Sequence, residues 1–112
     1  MLNFSTRQLE NDVTILTLDG ELDPYTSPDL LNCLTHEIEK GRRKIVVDCA
    51  RLKYISSCGL GALVRVHARM KKLGGDVKVA ALRGPVADVF RITMLNKVFG
   101  MYDSVEAAAE SF

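Results

Sequence analysis

Apolar residues change their spacing along the chain, and the spacing indicates where strands and helices begin. Around a turn at Asn11 and Asp12, apolar and polar residues alternate on both sides, which predicts an opening β-hairpin. Residues 44–49, KIVVDC, are nearly all apolar and rich in β-branched side chains, which favours a central strand covered on both faces. The predicted strands are 2–10, 11–20, 44–49, 76–82 and a last edge strand within 96–102.

Four segments have helical signals. A stripe at helical spacing, ended by Lys71 and Lys72 before two glycines, consists of Leu60, Leu63, Val64, His67 and Met70. An earlier helix is predicted over 27–40, with Ser27 as N-cap and Pro28 at its first position. A short third helix starts at Pro85, and Asp103 with Glu106 three residues later predicts the N-cap of a terminal helix.

The order β-β-α-β-α-β-α-(β)-α requires parallel strands with helices packed against them. We therefore expect a single α/β domain over residues 1–112, with a mixed sheet of four to five strands and about four helices. A composition of 47% hydrophobic and 26% charged residues is sufficient to form one core.

Charge and cysteine content restrict the kinds of partner. A net charge of +1 provides no field for non-specific binding to nucleic acid or to an anionic membrane. No apolar run is long enough to span a membrane, so we expect a soluble protein without membrane insertion. The three cysteines are odd in number and lack C-x-x-C spacing, which is typical of reduced thiols in the cytoplasm.

The segment YISSCGLGALV, residues 54–64, is the main candidate for chemistry. It contains the end of a predicted loop, 50–56, which runs from the carboxyl end of the central strand into a helix. This is the edge where α/β sheets bind ligands. A nucleophile elbow needs G-x-S-x-G, but Ile55 takes the place of the first glycine before Ser57. His67 lies ten residues further along the helix, about 15 Å away, and His36 is expected on the surface. We therefore predict no enzyme activity.

Two other ligand motifs are incomplete. Gly59 and Gly61 supply G-x-G, but Val64 replaces the third glycine of a dinucleotide fingerprint. The segment DGELD starts like a calcium loop, but Pro24 stands where that loop needs glycine and Leu30 stands where it needs glutamate. No cofactor and no metal are predicted.

The remaining possibilities for the serines are a helix cap and a switch. Ser56 or Ser57 can cap the helix, and Gly59 and Gly61 are expected to leave its first turn uncovered. Phosphate on such a serine would meet free amides and the positive end of the helix dipole. Cys58 is expected to pack beside the strand end, with a redox-sensitive thiol as the alternative.

The whole chain resembles the anti-sigma factor antagonists, the bacterial branch of the STAS domains. The similarity is carried in order by GELDPYTSPDL, IVVDCARLKYISSCGLGALV, GGDVKVAAL, VFRITMLNKVF and YDSVEAA. In that family the turn usually has the pattern D-S-[ST]-G-L-G, and its first serine accepts phosphate. The resemblance assigns the acceptor to Ser57, with Ser56 in the aspartate position and Cys58 in the second hydroxyl position. The further partner-binding residues that it implies are Gly59, Leu60, Gly61 and Asp23.

The resemblance implies a partner-switching cycle. The unphosphorylated protein would bind an anti-sigma factor that is also a serine kinase and thereby release a sigma factor. Phosphorylation of Ser57 would end that binding, and a PP2C-type phosphatase would restore it. Alternatives are a STAS regulator of motility, secretion or biofilm formation, a transporter-associated STAS subunit and, remotely, a serine hydrolase. A monomer or weak homodimer is expected.

Overall fold

Five strands form one sheet in which their spatial order follows the chain. The computed structural model describes all residues, 1–112. The strands are β1 (Leu2–Gln8), β2 (Thr14–Leu22), β3 (Lys44–Ile55), β4 (Asp76–Ala80) and β5 (Gly100–Tyr102). β1 is antiparallel to β2, and every later pair is parallel. The predicted hairpin, the parallel sheet and the edge strand are confirmed.

Four α-helices connect or follow the strands: α1 (Ser27–Glu39), α2 (Ser57–Lys72), α3 (Gly84–Ile92) and α4 (Val105–Glu110). A short 3-10 helix, Leu95–Lys97, lies between α3 and β5. The α/β fold class with a mixed sheet and about four helices is therefore confirmed. None of the helices is both long and apolar enough to cross a membrane.

The sheet has a helical layer on each face because successive strand residues point to opposite sides. On one face, α1, α2 and α3 pack on strand residues such as Leu16, Val47 and Val79. On the other face, Ala108 and Ala109 of α4 pack on a smaller cluster that includes Val46. The predicted central strand is therefore covered on both sides over its first half.

The strand predicted to end at Cys49 continues to Ile55, so the predicted loop over 50–56 is wrong. β2 pairs with β3 along this extension, from Asp19 opposite Arg51 to Leu22 opposite Ile55. One register shift precedes Asp19, and a second lies between Gly20 and Glu21. Such shifts insert unpaired residues and interrupt the alternation by which a strand is recognised. This extension carries β3 directly to the start of α2.

Two predicted helix caps are also displaced by one residue. Ser27 is the first residue of α1 instead of its N-cap, and its hydroxyl donates to the carbonyl oxygen of Asp23 at 2.6 Å. Ser104, and not Asp103, caps α4, because its Oγ accepts from the amide of Ala107 at 3.1 Å. In both places two adjacent residues have side chains of the types preferred at an N-cap. The backbone geometry decides which of the two is the N-cap residue.

Candidate functional site

Residues 55–61, which we call the serine turn, connect β3 to α2 with a single residue between them. β3 ends at Ile55, α2 begins at Ser57, and the amide of Ser56 donates to the carbonyl oxygen of Leu22 at 2.8 Å. This hydrogen bond fastens the turn to the end of β2. The turn thus lies at the carboxyl ends of two parallel strands, the edge where ligands approach α/β sheets.

Ser56 is the N-cap of α2. Its backbone is extended, its Oγ accepts from the amide of Gly59 at 3.1 Å, and its carbonyl oxygen accepts from Leu60 at 3.0 Å. The side chain is buried, with the residue only 8% exposed. Of the two serines that the sequence offers as caps, Ser57 is excluded because it already belongs to the helix.

Ser57 faces solvent with its hydroxyl free. The residue is exposed, and its side chain forms no hydrogen bond within the molecule. The backbone amides of Ser57 and Cys58 also have no acceptor, as is usual for the first residues of a helix. A hydroxyl and two unused amides therefore lie together at the positive end of α2.

The division of roles between the serines predicts different effects on stability. Ser56→Ala is expected to lower the free energy of unfolding by about 1 kcal/mol, because the amide of Gly59 loses its capping partner. Ser57→Ala, the matched control, should change it by less than about 0.5 kcal/mol because it removes only an exposed hydroxyl. Urea unfolding of both variants measures the difference, and equal losses would contradict the assignment of the cap.

The two glycines of the serine turn have different functions. A Cβ on Gly59 would lie 2.6 Å from Cγ of Leu22 and 3.1 Å from Cγ1 of Ile55, so this glycine allows α2 to approach β2 and β3. A Cβ on Gly61 would meet nothing within 4 Å. The prediction that both glycines leave the surface uncovered is therefore wrong for Gly59, which is buried, and fits Gly61. Leu60, between them, is partly buried against the core.

Cys58 is exposed, and the expectation that it packs beside the strand end is wrong. By contrast, burial raises the pKa of the Cys33 and Cys49 thiols, so both are held in the protonated form. Cys58 lines a groove of about 350 Å³ between α1 and α2. A redox-sensitive thiol stays an untested alternative for this residue.

Asp23 organises the turn that leads into α1. Its Oδ1 accepts from the amides of Tyr25 and Thr26, both at 2.9 Å, and from Oγ1 of Thr26 at 3.0 Å. These bonds, first among them the amide of Thr26, lower the pKa of Asp23. Its docking role stays a prediction, because the carboxylate is used within its own turn. The neighbouring Tyr25 is 90% exposed and was missed from sequence, where only the DPYTSP segment around it signals a presented loop.

The histidines lie away from Ser57. His36 is exposed on α1. His67 is buried with its ring 4.8 Å from that of Phe99, and burial lowers its pKa although Asp76 opposes the shift. Its Nε2 is 3.4 Å from Oδ1 of Asp76 but lacks hydrogen-bond alignment, so this contact is an ion pair only when the ring is protonated. Neither histidine forms a hydrogen bond with Ser57, and the structure has no group of three or more potential metal ligands.

Comparison with known proteins identifies the family. The family model described as the STAS domain matches residues 4–108. The chain belongs to the STAS domain family. This confirms the resemblance inferred from the serine turn and the segments around it.

The STAS domain has relatives among anti-sigma factor antagonists. It is 33% identical to BtrV of Bordetella bronchiseptica, with 88% of this chain and 84% of the relative covered. It is 30% identical to the anti-sigma-B factor antagonist of Bacillus subtilis, with 98% of this chain and 94% of the relative covered.

Solved structures have the same fold. An anti-sigma factor antagonist from Mycobacterium paratuberculosis superposes with a TM-score of 0.90 at 22% identity, covering 99% of this chain and 93% of that one. The Bacillus cell fate determinant SpoIIAA in its phosphorylated form superposes with a TM-score of 0.77 at 19% identity, covering 97% and 98%. At these sequence identities, the similarity shows a shared fold and no more.

Proposed function

We propose that this STAS domain is an anti-sigma factor antagonist that loses its partner when Ser57 is phosphorylated. The observation that carries the proposal is the contrast between adjacent serines: Ser56 is buried and used as a cap, whereas Ser57 is exposed and unbonded. A kinase can therefore reach Ser57 without opening the domain. That SpoIIAA exists in a phosphorylated form supports the same chemistry on this fold.

Phosphate would change the surface of the serine turn strongly because residues 55–61 have no charged side chain. The modification adds about −1.5 to −2 charges at pH 7. Together with its bulk, this charge would disfavour a partner that fits the unmodified turn. The free amides of Ser57 and Cys58 supply hydrogen-bond donors for the phosphate oxygens.

Ser56 in place of the family aspartate is compatible with this proposal. Aspartate and serine are both strongly preferred N-caps, and residue 56 is the cap of α2. The substitution keeps the capping bond and removes a negative charge next to the acceptor.

The proposed partners are an anti-sigma factor with serine kinase activity, which uses ATP as its own substrate, and a PP2C-type phosphatase. No cofactor bound to the STAS domain is required. The expected site of action is the cytoplasm, where sigma factors and ATP-dependent kinases work.

Phosphorylation mapping tests the proposal. Purified anti-sigma kinases encoded in the same genome, incubated with the domain and ATP, are expected to place one phosphate on Ser57. Mass spectrometry should find none on Ser57→Ala, while Ser56→Ala keeps the acceptor and serves as the control. Ser57→Asp should weaken binding of the kinase by about ten-fold or more while the fold is kept.

Two results would overturn the mechanism. One is phosphate on another residue, and the other is a Ser57→Asp variant that binds as tightly as the wild type. If a kinase phosphorylates Ser57 but binds no sigma factor, the output of the circuit is a different process.

A further inference from the structure

A groove between α1 and α2 starts beside the serine turn. Its upper part, of about 350 Å³, is bordered by Cys58 and Gly61, and its lower part, of about 160 Å³, extends to Arg69. The two parts share Leu31 and Arg65 in their linings, so they are adjacent sections of the same interhelical surface. We call it the α1–α2 trough.

The floor of the trough is apolar. It contains the buried Ala62 and Val66 from α2 and the half-buried Leu31 from α1. Leu31 packs against the edge of the core and also lines both parts of the trough. The open position at Gly61 adds space, since no heavy atom lies within 4 Å of a Cβ there. An apolar side chain of a partner can enter at this point.

One wall of the trough is basic, and no acidic side chain within the trough neutralises it. α2 has four Lys and Arg residues and no Asp or Glu, although the whole chain has a net charge of only +1. Arg65 and Arg69 are exposed, lie one turn apart and form no ion pair, whereas Lys71 pairs with Asp76 at 3.2 Å. No acidic residue lines either part of the trough. A partner surface that is complementary to this wall is therefore acidic.

We propose that the α1–α2 trough binds an acidic amphipathic segment of the partner protein. Apolar side chains of that segment would lie on Leu31, Ala62 and Val66, and its carboxylates would pair with Arg65 and Arg69. This inference rests on the proposed function and specifies the chemistry of the partner. It is argued from charge complementarity over an apolar floor and from continuity with the serine turn.

An amphipathic helical peptide that carries glutamate on its polar face tests the trough directly. In NMR titrations it should shift the amide signals of Leu31, Gly61, Ala62 and Arg65, and added salt should weaken its binding. The Arg65→Glu/Arg69→Glu variant should bind it about ten-fold more weakly, because two attractive charges become repulsive. A peptide with lysine in place of each glutamate should not bind there.

The matched control is Arg7→Glu/Lys97→Glu. It makes the same change in net charge at exposed residues of β1 and the 3-10 helix, neither of which forms an ion pair. This variant should retain nearly all affinity for the acidic peptide. Far-UV circular dichroism and thermal unfolding check that both variants fold. If the Arg65→Glu/Arg69→Glu variant does not fold, Arg65→Ala/Arg69→Ala is used in its place.

Binding of the acidic peptide elsewhere, no binding of it, or unchanged affinity for the Arg65 and Arg69 variant would overturn the proposal. The experiment is separable from the phosphorylation test. If a kinase modifies Ser57 but binds the Arg65→Glu/Arg69→Glu variant as tightly as the wild type, the trough assignment fails and the switch remains. If the peptide occupies the trough but no kinase modifies Ser57, the switch fails and the docking surface remains.

Discussion

Replacing Gly59 with valine is expected to lower the free energy of unfolding by about 3 kcal/mol. Gly59 lies against β2 and β3, and even a single Cβ there would be 2.6 Å from Cγ of Leu22, which is fully buried. The added volume must displace Leu22 or lift the first turn of α2 from the sheet. Urea unfolding followed by circular dichroism measures the loss.

Gly61→Val is the control in the same helical turn. Valine has a slightly better helix propensity than glycine, and no atom obstructs a Cβ at this position, so stability should stay within about 0.5 kcal/mol. Equal destabilisation of the two variants would mean that glycine is needed for backbone freedom instead of close packing. If Gly59→Val does not fold, Gly59→Ala gives a smaller loss in the same direction.

Phe90→Ala is expected to lower the free energy of unfolding by about 3 to 5 kcal/mol, which is a large part of the total for a domain of this size. Phe90 is fully buried on α3, and its ring centre is 6.0 Å from that of Phe99. Phe99 in turn contacts His67 of α2, so three segments meet at this aromatic cluster. Removal of the ring would leave a cavity that the surrounding helices and sheet cannot close.

Ile92→Ala on the same helix is the matched control, because Ile92 is 77% exposed and its loss should change stability by less than about 0.5 kcal/mol. Thermal and denaturant unfolding compare the two variants. A small effect of Phe90→Ala would contradict the packing of α3 described above. Phe90→Leu, which leaves a smaller cavity, covers the case in which the alanine variant does not fold.

The elements of the fold could be predicted because each has a strong local signal. The stripe from Leu60 to Met70 identifies α2, and the apolar run from Lys44 identifies the start of β3. The second half of β3 could not be recognised, because exposed residues such as Arg51 and Lys53 stand in it and register shifts break the alternation. Its strand identity depends on pairing with β2, which is a contact distant in sequence.

The details of the serine turn depended on tertiary contacts as well. Residues two apart on a helix point in nearly opposite directions, so Gly59 faces the sheet while Gly61 faces solvent. Sequence alone has no means of distinguishing them before the direction of α2 is known. The two serines differ for the same reason: the bond from the Ser56 amide to Leu22 sets where the helix begins, and therefore which hydroxyl is free.

The serine turn is held from three sides: by the Ser56 amide on Leu22, by the Ser56 cap on Gly59, and by the packing of Gly59 against β2. Ser57 is consequently presented on a well-anchored turn of the folded domain and not on an extended peptide. Under the proposed function, a kinase that phosphorylates Ser57 would have to recognise a folded surface. A peptide of sequence ISSCGLG would lack these three contacts, so we expect the proposed kinase to phosphorylate it much less efficiently than the folded domain.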